Sequence, residues 1–218
     1  MGNNKELTNI SKATIGRMPS YLRFLKEREL AGERTISSTA IAEGLSLNAV
    51  QVRKDLAVIS SVAGKPKLGF EIADLIAGIN RFLGYDNVTD AVLVGAGGLG
   101  RALVGYGGFK NYGLNIVAAF DTSPKLIGKS FGGVQVFDAA ETSRLVRRLN
   151  VLIGIIAVPK EAAQHVADEL VEGGVRAIWN FAPANLVLPQ GIAVKNEDMA
   201  ASLAILSKRL AQILNSEK

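Results

Sequence analysis

Six consecutive residues, Gly95-Ala96-Gly97-Gly98-Leu99-Gly100, carry the strongest chemical signal in this chain of 218 residues. Glycines at this spacing let a backbone approach phosphate oxygens closely, and the N–H groups that open a following helix place partial positive charge there. Asp121 stands where a second strand would end, and a carboxylate there can accept both hydroxyls of an adenosine ribose. The same carboxylate repels a 2′-phosphate, so the set predicts a dinucleotide site that prefers NAD(H) to NADP(H). A second cluster, Gln51, Arg53 and Lys54, holds side chains of the types that bond base edges and backbone phosphates. Lys65 and Lys67 follow near the tip of a Gly- and Pro-punctuated stretch from Val62 to Phe70, the composition of a hairpin that tracks a phosphate backbone or enters a minor groove.

Other chemistries are excluded by what is missing. The sequence has no cysteine, which removes disulfides, thiolate metal sites, iron–sulfur clusters and thiol redox sensing. With His165 as the sole histidine, no histidine-rich metal site can be built, so any redox sense must come through an organic cofactor. His165 falls in the middle of a predicted helix, away from the predicted strand ends, and reads as a surface residue. Tyr106 and Lys110 have the Tyr-x-x-x-Lys spacing of short-chain dehydrogenases, but Gly107 and Gly108 interrupt it and the match reads as coincidence.

These residues need elements to hold them. In the first third, Pro19 is expected to start a helix to about Leu30, with Tyr21, Leu22, Leu25 and Leu30 on its apolar side. Ser37 or Ser38 caps a short helix to Gly44, and a third helix runs from about Leu47 to Ile59. Ala40, Gly44 and Val50 have the spacing of a helix-turn-helix: a small residue for contact, glycine for the turn, an apolar residue to close the angle. In the third helix Val52, Leu56 and Ile59 form one stripe, leaving Gln51 and Lys54 opposite and Arg53 at the flank. A helix from Ala73 to Phe82 then leads to a boundary near Tyr85 or Asp86.

Beyond it the pattern alternates. Asp90–Val94 is a short apolar run typical of a strand buried on both faces, and it enters the glycine loop directly. Ile116–Phe120 is a second strand ending at Asp121. A strand from Val151 to Val158, a helix from Lys160 to about Glu172, a strand from Val175 to Phe181 and a last one at Ile192–Val194 follow. This order predicts an α/β domain built on a doubly wound parallel sheet, a Rossmann-like fold with its ligand at the carboxyl ends of the strands. From Asp198 a final helix carries Leu203, Leu206, Leu210, Ile213 and Leu214 in one stripe that needs another surface to cover it. The expected division is 1–85 for a winged-helix DNA-binding domain, 86–198 for the dinucleotide domain and 199–218 for a dimerising helix.

Charge follows the same division. Residues 1–70 hold 11 Lys and Arg against 6 Asp and Glu, whereas the rest balances at 14 against 14. The net +5 of the chain therefore sits in the third that carries the helix-turn-helix, as expected where one domain meets a polyanion. No apolar run reaches the ~18 residues needed to span a bilayer, and the polar start offers no secretory signal. No membrane contact and a cytoplasmic location are expected. No segment is left over for a substrate domain, so no enzyme activity is expected. The competing classes are an NAD-dependent oxidoreductase or the CoA-binding subunit of a ligase, both with a Rossmann-like domain, and a regulator sensing another nucleotide.

Taken together, several segments resemble the redox-sensing transcriptional repressors of the Rex family over nearly the whole chain. They are Gly16–Arg23, Gln51–Leu56, Val94–Gly97, Phe120-Asp121, Asn180–Pro183 and Val194–Asp198. The chain departs from the family in its wing, where many members have Thr-Arg-Gly-Val-Gly-Tyr, and at Gly98, where many have a larger residue. The resemblance implies a cytoplasmic homodimer that binds palindromic operators when NADH is scarce and releases them as the NADH/NAD⁺ ratio rises. It implies C-terminal helices exchanged between subunits and a rotation of the domains when NADH binds. A nicotinamide pocket is then expected where Tyr106, Val158-Pro159 and Ala182-Pro183 meet, apolar enough to favour the neutral reduced ring over the cationic oxidised one. Arg23, Tyr106 and Asp198, each inside a matching motif, are expected to form the polar link that differs between the two states.

Overall fold

The computed structural model describes residues 10–59, 69–87 and 89–216. The chain divides into two compact units, Met1–Asn87 and Val88–Lys218. In the first, the order is α1 (Lys12–Leu30), β1 (Thr35–Ile36), α2 (Ser38–Gly44), α3 (Ala49–Ile59), β2 (Phe70–Glu71) and α4 (Ile72–Leu83). Met18, Tyr21, Leu22 and Leu25 of α1 join Ile41, Val52, Leu56, Leu75 and Ile79 in a core almost without solvent contact. β1 pairs antiparallel with β2, Ile36 opposite Phe70, so the chain after α3 returns beside the start of α2 as the base of a wing requires. The wing cations Lys65 and Lys67 lie outside the described residues.

Four expectations are corrected here. α1 starts at Lys12, with the Ser11 side chain accepting from the Thr14 N–H at 3.1 Å, and Pro19 lies inside the helix. The lost N–H of Pro19 costs one intrahelical bond, but the buried face on either side of it holds the helix together. Leu30, at 89% exposed, takes no part in that face. In the helix-turn-helix, Gly44 is needed for a different reason: a Cβ there would overlap the Phe24 ring, and the left-handed residue of the turn is Ser46, at φ 53°. Val50 is 56% exposed and does not close the angle; the adjacent Val52 is the buried residue.

The second unit is a seven-stranded sheet in the order β5-β6-β4-β3-β7-β8-β9. Its strands are β3 (Thr89–Val94), β4 (Leu114–Asp121), β5 (Ser130–Phe131), β6 (Val134–Asp138), β7 (Ile153–Ile156), β8 (Ala177–Asn180) and β9 (Ala193–Asn196). All pairings are parallel except the short β5 against β6. Counted from β3, the parallel strands run 3-2-1-4-5-6, the order of a dinucleotide-binding fold, whose reversal point lies between β3 and β7.

The helices are α5 (Gly98–Gly105), α6 (Thr142–Leu149), α7 (Lys160–Glu172) and α8 (Met199–Ser216). β3 shows why its apolar run had no alternation. Val92 and Val94 pack with Val146 of α6 and Ala163, Val166 and Leu170 of α7, while Ala91 and Leu93 pack on the other face with Leu103 and Val104 of α5. A strand buried on both faces has no polar side to show. α8 has no buried residue, and Leu203, Leu206, Leu210, Ile213 and Leu214 are each more than half exposed. Among the described residues no helix is long and apolar enough to cross a membrane.

Candidate cofactor cleft and nucleic-acid interface

The glycine loop leaves β3 at its carboxyl end and enters α5 through Gly97 as N-cap. Gly95 has φ +101°, and Gly100 packs so closely on the Gly95 carbonyl that any Cβ would overlap it. These two glycines fold the loop. Gly97 and Gly98 have open space where a Cβ would stand, so the backbone N–H groups here can be approached from outside.

A cleft of about 510 Å³ opens at this point, at the ends of the strands flanking the reversal point. It brings together Gly95, Gly97, Asp121, Val158 and Pro159 of the expected cofactor contacts. Such a volume suits a nucleotide ligand, and the open glycine backbone with a facing carboxylate fits a pyrophosphate and its ribose. Asp121 is already engaged: Oδ2 accepts from the Ala96 N–H at 2.8 Å and Oδ1 from the Ser123 N–H at 2.8 Å. The carboxylate thus holds the loop in shape, and each oxygen keeps a further lone pair for a ribose hydroxyl.

The cleft also contains residues that were not expected there. Asp138, at the end of β6, lines its far wall and caps the following turn by accepting from the Ala140 N–H at 3.0 Å. His165 is exposed, yet it belongs to the cleft wall, with Glu169 at 3.6 Å. Its expected distance from the strand ends is therefore corrected: α7 runs back across the mouth of the cleft and carries His165 there.

Of the other expected contacts, Ala96, Gly98, Leu99 and Gly100 of the loop, and Tyr106, Ala182 and Pro183, do not line this cleft. Tyr106, 53% exposed, ends α5 and begins a 3-10 turn, Gly107–Tyr112, so it and Lys110 do not share an α-helical face. Its ring starts an aromatic ladder, edge-on to Phe109 at 4.9 Å, then Phe109 to Trp179 at 5.5 Å and Trp179 to Phe181 at 4.8 Å. The Trp179 indole N–H donates to Glu197 Oε1 at 2.8 Å. Buried Asn180 sets the loop after β8: its amide donates to the carbonyls of Ala182 and Ala184 and to Asn196 Oδ1, and accepts from the Ala182 N–H. Ala182 is buried and Pro183 exposed. Asp198 caps α8, accepting from the Ala201 N–H at 2.8 Å, and Arg23 is exposed on α1.

In the first unit α3 presents Gln51, Arg53 and Lys54 to solvent and buries Val52, Asp55 and Leu56. Asn48 caps it, with Oδ1 accepting from the Val50 and Gln51 N–H groups. Asp55 was legible only as part of a motif, and it is the hub of a buried network. Arg17 donates to it through Nε at 2.7 Å and Nη2 at 2.9 Å, the Tyr21 hydroxyl at 2.7 Å and the Thr14 hydroxyl at 3.1 Å. Burial pushes the Asp55 carboxyl up, but hydrogen bonds from Arg17 and Tyr21 outweigh it and hold it below its ordinary value. Burial, reinforced by Asp55, pushes the Tyr21 phenol up to about 12.

A helix-turn-helix unit joined to a dinucleotide-type α/β unit defines a DNA-binding regulator with a nucleotide sensor. Residues 9–57 match the family described as putative DNA-binding protein N-terminus, and 86–184 the family described as CoA binding domain. The redox-sensing transcriptional repressor Rex of Desulforamulus reducens is 45% identical over 93% of this chain and 96% of its own length. That of Bacteroides fragilis is 38% identical over 95% and 94%. A crystal structure of RSP with β-NAD⁺ and operator DNA superposes with a TM-score of 0.88 at 33% identity, covering 96% of each chain. The structure of RSP with β-NADH gives 0.85 over 97% and 100%. The chain belongs to the Rex family of redox-sensing transcriptional repressors.

Proposed function

We propose that this chain represses transcription as a cytoplasmic homodimer that binds palindromic operator DNA through α3 and releases it on binding NADH. The observation that carries this reading is the presence of two sites in one chain, an exposed Gln51-Arg53-Lys54 face and a glycine-loop cleft closed by Asp121. Gln51, Arg53 and Lys54 would meet the major groove, with Lys65 and Lys67 adding wing contacts. The loop from Gly95 to Gly100 would receive the pyrophosphate and Asp121 the adenosine ribose. Val158 and Pro159, with Tyr106, Ala182 and Pro183 beyond the cleft, would offer the ring an apolar setting that favours its neutral, reduced form. The exposed stripe of α8 supports dimerisation, since a face of that kind needs a partner. Arg23, Tyr106 and Asp198 would link the DNA-binding unit, the cofactor and the start of α8.

No enzyme activity is expected, because the unit that would hold a substrate is occupied by a DNA-binding fold. Coenzyme A fits less well than NADH, since its 3′-phosphate would meet the Asp121 carboxylate. The test is reciprocal. NADH should lower affinity for a duplex selected from a randomised palindromic library, and that duplex should lower NADH affinity by the same factor. An operator affinity untouched by NADH overturns the sensor.

Asp121→Ala should weaken NADH binding at least tenfold, since a hydrogen bond to a charged group contributes about 1.5–3 kcal/mol. The gap between NADH and NADPH should narrow as repulsion of the 2′-phosphate disappears. NADPH should not gain as much as NADH loses, because the Ala96 N–H loses its anchor too. Titration calorimetry with both cofactors checks this, and equal affinities in the parent would remove the role.

A further inference from the structure

Gln51 is exposed on α3, but one end of its amide is not free. Turned so that its oxygen faces donors, it accepts from Arg17 Nη1 at 3.1 Å and Nη2 at 3.2 Å, whereas the opposite orientation sets N–H against N–H. The guanidinium cannot rotate away. Its Nε and Nη2 are clamped on the two oxygens of Asp55, and Nη2 also reaches the Thr14 hydroxyl at 3.3 Å. Arg17 and Asp55 are 20% and 5% exposed, so the clamp is shielded from competing water.

We infer that Arg17 is a positioning residue for operator recognition: it occupies the Gln51 oxygen and leaves the NH₂ as the only end offered to DNA. The inference rests on the reading of α3 as the recognition helix. A free glutamine reads adenine by accepting from N6 and donating to N7 at once. With both Nη1 and Nη2 of Arg17 on its oxygen, Gln51 meets DNA as a donor. It therefore favours a keto base, guanine through O6 or thymine through O4, over adenine, whose N7 still accepts but whose N6 group is left without an acceptor. The same geometry gives Arg17 a role without any contact to DNA.

The experiment is selection of bound duplexes from a randomised palindromic library, followed by affinities for single-base variants of the selected duplex. The parent and Gln51→Ala, Gln51→Glu and Arg17→Lys are compared at full length. The parent should prefer a keto base by about tenfold at one position per half-site, and Gln51→Ala should lose that preference alone. Gln51→Glu, an exposed change, should shift it to cytosine, whose N4 group donates. Arg17→Lys can still pair with Asp55 but leaves the Gln51 oxygen free, so a folded variant should move the preference towards adenine. Thermal melting shows whether it is folded. A parent preference for adenine at the Gln51-dependent position overturns the inference, as does a folded Arg17→Lys with the parent's base choice. If the parent selects no duplex at all, the recognition-helix reading falls with it.

Discussion

Asp55→Ala is expected to lower the stability of the DNA-binding unit by about 3 kcal/mol, a fall in Tm on the order of 15 °C for a unit of this size. The loss exceeds that of a surface ion pair because the partners stay behind. Arg17 keeps its charge with only the neutral oxygens of Thr14 and Gln51 to meet it, and the Tyr21 hydroxyl loses the carboxylate it donates to. Partial water access to Arg17 keeps the figure at the low end for a buried pair. Thermal unfolding followed by circular dichroism measures it, and a change below 1 kcal/mol would show the network to be ornamental.

The same network sets two pH limits. Asp55 titrates below its ordinary value when folded, so its contribution is present above the unfolded value of 3.8 and is lost as pH falls through the lower folded one. Tyr21 is displaced upward, so its contribution holds below the ordinary 10.0 and is lost as pH rises through about 12. Asp55→Asn should flatten the acid limb.

The double variant Arg53→Ala, Lys54→Ala should lose roughly 100-fold or more in operator affinity, each base contact contributing about 1–3 kcal/mol. Any part of the loss that comes from phosphate shows as a salt slope shallower by about 0.9 per contact. NADH affinity should not change, because both side chains project from α3 into solvent. Lys54→Ala alone should account for more of the loss than Arg53→Ala. Unchanged operator affinity in the double variant would move recognition to other residues.

The sequence was most legible where chemistry and local geometry coincide. The glycine loop, Asp121 and the strands on either side lie close to where periodicity placed them, since a buried parallel strand and its turn are short and locally encoded. The stretch from Thr122 to Asn150 was not read, and it holds β5, β6 and α6. Its strands are brief, and Gly132 and Gly133 interrupt the apolar pattern. The start of α1 was hidden because its buried face is completed by Asp55, 38 residues beyond Arg17. No window of sequence shows such a pairing. Gly44 carried a true signal with the wrong cause, since a ring from α1, not the turn, excludes a side chain there. His165 was misplaced because helix periodicity tells which residues share a face, not what that face overlooks.

The ladder through Trp179 also makes this protein an asymmetric optical object. Trp179 is the only tryptophan in the chain and lies in the dinucleotide-binding unit, so indole emission reports the folding of that unit. Circular dichroism of the helices senses both. In Asp55→Ala the two signals should separate on heating, ellipticity falling first while the emission stays native, and the lag between them would measure the cooperativity across the junction near residue 88.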